Sequence, residues 1–592
     1  MSTAEVIPPT RPLAEAPPTQ LEARLTALVA GMQRLEARVA ALETGIPETA
    51  RPPDPAPPGL PIPEALPSPV RLMGLIGRVC LILGGATFIR ALVDAGTIHR
   101  GWGVALGLAY AITWALLADR AQTAMDAAFH ALASILIAYP LILESTVRFG
   151  ILSPGPAAAA LLAVVVLHSA VAWRQDLQPI LWIATLAALA TGFALMAGRQ
   201  AIAPFLAVFL LMGLGTLWLT YGRRWHGLRW PTALGADLGV LILTTLAAWP
   251  GGPPEAYRGL SPSWAMGLAL ALVVLYLGSF ALRMLQRRRV VNAFELVQTA
   301  LVLLIGFGGA LRVALASGSG AGPLGAGITL AGAGCYAAAI PFATDQDETR
   351  PNFNFFTALA LVFLLAGGAI ILHPPFFAAL SGGMGLAAML VGLQLRRAVL
   401  MVHSGLYLVA SAVVSGLAAG TLHAFLAAAG PATFPGVAAL FSLAALSAVL
   451  VLFLLRRPPD ALTARVRPVL LLLGALTAAG WGALLIQSCC GIFPAGSADA
   501  GAVAAVRTGV LSALTIALAW SGRRLPILEL RWLVYPLLVL TALKFLFEDV
   551  AAGRPLTLFL GFMCFGATLI LAPRLLKAPS PPGGGVADRS AE

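Results

Sequence analysis

From Arg71 to Leu576 the chain repeats one pattern, an apolar run of about twenty residues followed by a short polar loop. Such a run, wound as a helix rising about 1.5 Å per residue, crosses the roughly 30 Å hydrocarbon layer of a bilayer. The pattern predicts helices near 72–93, 101–118, 123–143, 156–173, 178–197, 201–221, 231–249, 263–282, 292–315, 323–342, 354–372, 376–395, 398–419, 436–455, 468–488, 501–520, 528–547 and 555–573. That makes about eighteen spans, with the stretch from His423 to Pro435 read as a re-entrant or interfacial piece. The expected fold class is all-α, a polytopic transmembrane helix bundle.

Ahead of the bundle the periodicity changes. Leu21, Leu25, Leu28, Met32, Leu35, Val39 and Leu42 alternate at spacings of four and three, flanked by Glu and Arg. That is the seam of a short coiled coil. Two readings stand: a parallel coiled coil that makes a homo-oligomer through residues 20–45, or one amphipathic helix lying on the membrane or on the protein itself. Prolines bracket it. The expected organisation is a disordered Pro-rich segment 1–19, a coiled-coil helix 20–45, a Pro-rich linker 46–70, a transmembrane domain 71–576 and a disordered tail 577–592.

Composition agrees with the pattern. Of 592 residues, 59% are hydrophobic and 11% charged, with mean hydropathy +0.87. Soluble domains carry about 25% charged residues, and one this apolar has too little polar surface to face water. The net charge of +12 sits in the loops, so it speaks for topology rather than for a nucleic-acid partner. With the N-terminus inside, loops after even-numbered spans hold nineteen arginines and the opposite loops and span ends seven. The positive-inside rule then places both termini in the cytoplasm. No apolar core of a secretory signal opens the chain. Cys80, Cys335, Cys489, Cys490 and Cys564 all fall in apolar segments without zinc spacing and read as small hydrophobes.

Ionisable groups inside such spans are costly, so each is a functional candidate. "FIRALVDAG" sets Arg90 and Asp94 four apart at the end of the first span, and "LKFLFEDVAAGR" sets Lys544, Glu548, Asp549 and Arg554 at the end of the seventeenth. Residues four apart share a helical face. Both motifs end odd-numbered spans and belong at the same depth. If the two helices pack together, the six residues form one charge network; otherwise they are independent interfacial pairs. Asp126 and His130, again four apart, are either a proton relay or a pair facing cytoplasmic water. Asp237, Glu295 and Gln298 stand within spans, as do His168 and His403, which read as helix-contact residues. "GAGPLG" matches a dinucleotide-binding pattern but follows no strand. No catalytic residue, metal site or cofactor is assigned.

Four stretches carry a resemblance: "LILGGATFIRALVDAG", "HALASILIAYPLILESTVRFGILSP", "VAWRQDLQPILWIATLAALATGF" and "LTALKFLFEDVAAGRPLTLFLGFMCFGATLIL". With the heptad helix and the proline linker, they resemble the bacterial predicted membrane protein family termed domain of unknown function 2339. The match is tightest at the two ends, and it departs at Arg90, where relatives tend to carry lysine. The resemblance implies a multi-pass protein of the bacterial inner membrane and no mechanism. Three functions stay open: transport or flipping of a lipid-linked or amphiphilic envelope component, a non-catalytic scaffold oligomerised by its coiled coil, or a transferase acting on lipid-linked substrates. The lipid bilayer is the one partner expected in all three.

Overall fold

The structure is a computed structural model that describes residues 29–30, 32–33, 36, 69–223, 225, 227–343, 351–426, 436–456, 458–490, 500–524, 528–552 and 554–576. The chain divides into two units, Met1–Gly77 and Arg78–Glu592. In the first, the described positions between 29 and 36 are helical, and Met32 is exposed. The other six seam positions, Leu21, Leu25, Leu28, Leu35, Val39 and Leu42, lie outside the described residues, as do segments 1–19 and 577–592.

The regular elements among the described residues are all helical. In chain order they are α1 (Pro69–Asp94), α2 (Arg100–Asp119), α3 (Ala124–Val147), α4 (Pro154–Gln175), α5 (Gln178–Arg199), α6 (Ile202–Gly222), α7 (Arg229–Ala247), α8 (Pro262–Arg287) and α9 (Ala293–Ser317). They continue as α10 (Ala321–Ala339), α11 (Pro351–Ile371), α12 (Pro374–Leu395), α13 (Ala398–Val414), α14 (Leu417–Leu426), α15 (Gly436–Arg456), α16 (Asp460–Cys490), α17 (Ala500–Arg524), α18 (Leu528–Lys544) and α19 (Pro555–Leu576). Among the described residues fifteen helices are long and apolar enough to cross a membrane, or sixteen if the bent pair α13/α14 is one span. That pair turns through 63° beside Gly416, whose φ of +78° suits glycine. Every predicted run coincides with a helix, or at 398–419 with this bent pair.

Helix ends follow local chemistry. Prolines open α4, α5, α8 and α12, where a missing N–H costs nothing. Asn292 and Glu295 form a reciprocal capping box at the start of α9. Thr123 caps α3 by accepting the Asp126 N–H. Two helices depart from regular α geometry: α9 contains a π-turn at Val302–Phe307, and α18 runs into one at Phe545–Asp549. Among the described residues a main core runs from Ile82 to Leu400 and a second from Met389 to Leu473, with two small clusters at Leu361, Ala388 and Tyr407 and at Ala519, Val534 and Ala572.

Candidate functional site

The charged candidates fall into two groups on different helices. At the end of α1, Arg90 Nη2 donates to Glu144 Oε1 of α3 at 2.7 Å. Its Nε stands 3.8 Å from Asp94. Arg148 donates to the same Glu144 oxygen at 3.0 Å. Arg100 faces the ring of Phe149 at 6.0 Å. Arg90 and Arg148 thus meet the two carboxylates, and Arg100 in the cavity wall adds surplus positive charge. Arg90 remains 47% exposed. It lines a cavity of about 180 Å³ between α1, α2 and α3, with Arg100 and Glu144 also in the wall. The rest of the lining is mostly apolar, including Ile89, Val93, Val104, Leu136 and Ile137.

The cavity exists because α1 meets its neighbours at separated points. Tyr110 Oη donates to Ile82 O at 3.2 Å, Val93 rests on Gly103, and Arg90 bonds Glu144. Gly103 is required there, since an added Cβ would stand 2.2 Å from Val93.

The second group is closed. Lys544 Nζ is bonded to Asp549 Oδ2 and to Ala504 O. It also donates to Thr508 Oγ1 at 2.7 Å. Thr508 in turn donates to Asp549 Oδ2 at 2.8 Å, and Arg507 Nη1 reaches Glu548 Oε1 at 2.7 Å. Two cations and two carboxylates balance. Lys544 is 8% and Asp549 2% exposed. The π-turn explains the five-residue spacing. In an α-helix the fifth residue lies about 140° around the axis, whereas an i→i+5 turn brings it back over the first. The partner helix is α17, and the expected joining of Lys544 and Asp549 with Arg90 and Asp94 is replaced by two separate groups. The reason is proximity: each motif meets a nearer partner, Glu144 on α3 or Arg507 and Thr508 on α17. Arg554 lies at the start of α19, where its N–H donates to Thr557 Oγ1 at 2.9 Å.

Asp126 accepts from the Thr123 hydroxyl at 2.7 Å. The His130 ring packs on Trp114 at 5.3 Å. His168 Nε2 bonds Ser134 Oγ at 3.0 Å, and Ser134 donates to Ala111 O. That chain links α4, α3 and α2, which is a helix-contact role.

Sequence reasoning named Asp237, Glu295 and Gln298 but not their pairing across helices. Glu295 is fully buried and saturated: Arg283 donates to it, Tyr221 Oη at 3.0 Å and Asn292 N at 2.9 Å. One turn further along α9, Gln298 Nε2 donates to both oxygens of Asp237 at 3.0 Å. Asp237 is 2% exposed and has no cationic partner among the described residues. The partners Glu144, Arg148, Arg507 and Thr508 were also missed. Only Glu144–Arg148, spaced four apart near the end of one run, left a local signal.

Among the described residues no group of three or more His, Cys, Asp or Glu is placed to hold a metal. Cys335, Cys489, Cys490 and Cys564 are free thiols. These features define a polytopic helical membrane protein with a charged, partly apolar groove at one helix end. No family model, no curated protein and no solved structure matches the chain.

Proposed function

We propose that the protein transports or flips a lipid-linked or amphiphilic component of the bacterial envelope. One observation carries the reading: the cavity beside Arg90 joins apolar walls to a surplus of arginine. An amphiphile with an anionic headgroup matches both parts, the head against Arg90 and Arg100 and the chains along Ile89, Val93 and Leu136. The loose seating of α1 supports a lateral way in from the bilayer. A second groove of about 790 Å³ between α8, α10 and α11 carries no charged side chain, so it offers no headgroup contact.

The reading includes about eighteen spans in the inner membrane with both termini cytoplasmic, and membership of the family it resembles. Cysteines placed at Ala427 and Arg287 in a cysteine-free background should label from opposite sides; labelling from one side overturns this threading.

Mass spectrometry of envelope lipids and glycans tests the function. Wild type is compared with a deletion strain and with the deletion complemented by Arg90→Ala. A lipid-linked species that accumulates in both defective strains is the expected result. Unchanged lipids and glycans in both would shift the reading to the scaffold.

A further inference from the structure

Helices α6, α7, α8 and α9 enclose a file of polar side chains that the groove at α1 does not use. At the arginine-rich end stand Arg229, Tyr221, Arg283 and the saturated Glu295. Deeper lies Asp237, eight residues into α7 and so about 12 Å along it, near the middle of the helix. Tyr276 on α8 lies in the same file, beside Gly213 of α6 and the Thr232 carbonyl of α7.

This file contains unmet hydrogen-bonding capacity beside an uncompensated acid. Gln298 commits its NH2 to both Asp237 oxygens, while its own Oε1 is buried with no partner. The Tyr276 hydroxyl, on a side chain 2% exposed, is likewise unpartnered. It sits against Gly213, where a Cβ would stand 2.4 Å from it. Titratable and charged groups facing this region are Tyr221 from α6, Tyr276 and Arg283 from α8, and Glu295 from α9. Arg283 is committed to Glu295. Arg229 lies two turns back on α7 itself, with its guanidinium over Phe294. Arg199 on α5 and Arg312 on α9 stand toward the other end of their helices.

We propose that Asp237 is an intramembrane proton site, loaded and unloaded as the Gln298 amide turns over. When the carboxylate is ionised, the amide NH2 donates to both oxygens, as the structure shows. When it gains a proton, an amide turned by half a rotation offers Oε1 as acceptor for the new O–H. The orphaned Oε1 is the acceptor this second state needs. The proton comes from hydronium, leaving water, and returns to water on release; no electron moves. A sodium ion is the poorer fit, because it needs several oxygen ligands, while the amide presents a donor to both carboxylate oxygens. The π-turn at Val302–Phe307, one turn past Gln298 on α9, supplies a weakened segment about which Gln298 can move.

As an energy source for transport the site rests on the reading above; as a proton site it stands alone. The test therefore uses no transported substrate. Full-length protein in phosphatidylcholine liposomes is titrated while infrared difference spectra follow the carboxylic-acid C=O stretch. A titrating band is expected in wild type, absent in Asp237→Asn and retained in Asp549→Asn. Wild-type and Asp237→Asn spectra that coincide throughout would overturn the proposal. Should Asp237→Asn fail to fold, Gln298→Met removes only the amide. It is expected to shift the midpoint of the band, and an unmoved midpoint overturns the proposal equally. A null result here leaves the amphiphile reading intact, since the lipid comparison reads a different site.

Discussion

The ends of α1 and α18 carry nearly the same sequence plan, a base, an acid four or five residues on, a small turn and an arginine, yet they become different objects. Arg90 stays half exposed, shares Glu144 with Arg148 and borders a cavity with positive charge to spare. Lys544 is enclosed, its charge matched and its donors taken by Asp549, Thr508 and Ala504 O. The first can still bind something. The second is a tie between helices. Charge balance and remaining exposure, not motif, separate a site from a strut.

The sharpest break of this comparison is stability. Asp549→Ala leaves the Lys544 ammonium buried without its carboxylate, and loss of one partner of a buried pair costs about 3–5 kcal/mol. Equilibrium unfolding in mixed micelles should show that loss. A smaller effect is expected at the rim of the same cage. Glu548→Gln keeps a hydrogen-bond acceptor for Arg507 but removes the charge, and a charged hydrogen bond contributes about 1.5–3 kcal/mol. Arg90→Ala should cost less than about 1 kcal/mol, since exposed pairs contribute little, while abolishing complementation of the deletion strain. If Arg90→Ala and Asp549→Ala destabilise equally, the contrast between site and strut collapses.

The smallest structural effect is expected from filling the groove. Ala86 lines the cavity, and Ala86→Trp should leave the unfolding midpoint near wild type yet block complementation. Full activity with the cavity filled would remove the groove from the mechanism. A charge reversal sharpens the pairing. Arg90→Glu with Glu144→Arg keeps the 2.7 Å partnership and should fold better than Arg90→Glu alone.

Much of the fold was legible because a bilayer imposes a length. Each apolar run had to satisfy its own backbone hydrogen bonds, so it had to be a helix of about twenty residues. The runs at 178–197 and 376–395 therefore agree with α5 and α12 to within a few residues. The π-turns were not legible. Apolar sequence at Val302–Phe307 looks like any other span, and the extra residue in the turn follows from what its side chains meet. At the candidate sites the polar residues were visible as exceptions to the pattern. Their partners were not, because Arg90 and Glu144 lie 54 residues apart and Asp237 and Gln298 lie 61 apart. No local periodicity links positions so distant.

The sequence by itself determined the class of the protein, the places where helices form and the few positions where ionisable groups enter apolar segments. Hydrocarbon tolerates neither bare backbone nor idle charge, and both constraints act along the chain. Which acid meets which base was decided only by tertiary packing. Neighbouring helices place Glu144 beside Arg90, close Arg507 and Thr508 over the π-turn, and leave Asp237 with an amide where a cation was needed. Those outcomes depend on helix rotation and depth, which are settled by the shapes of facing side chains.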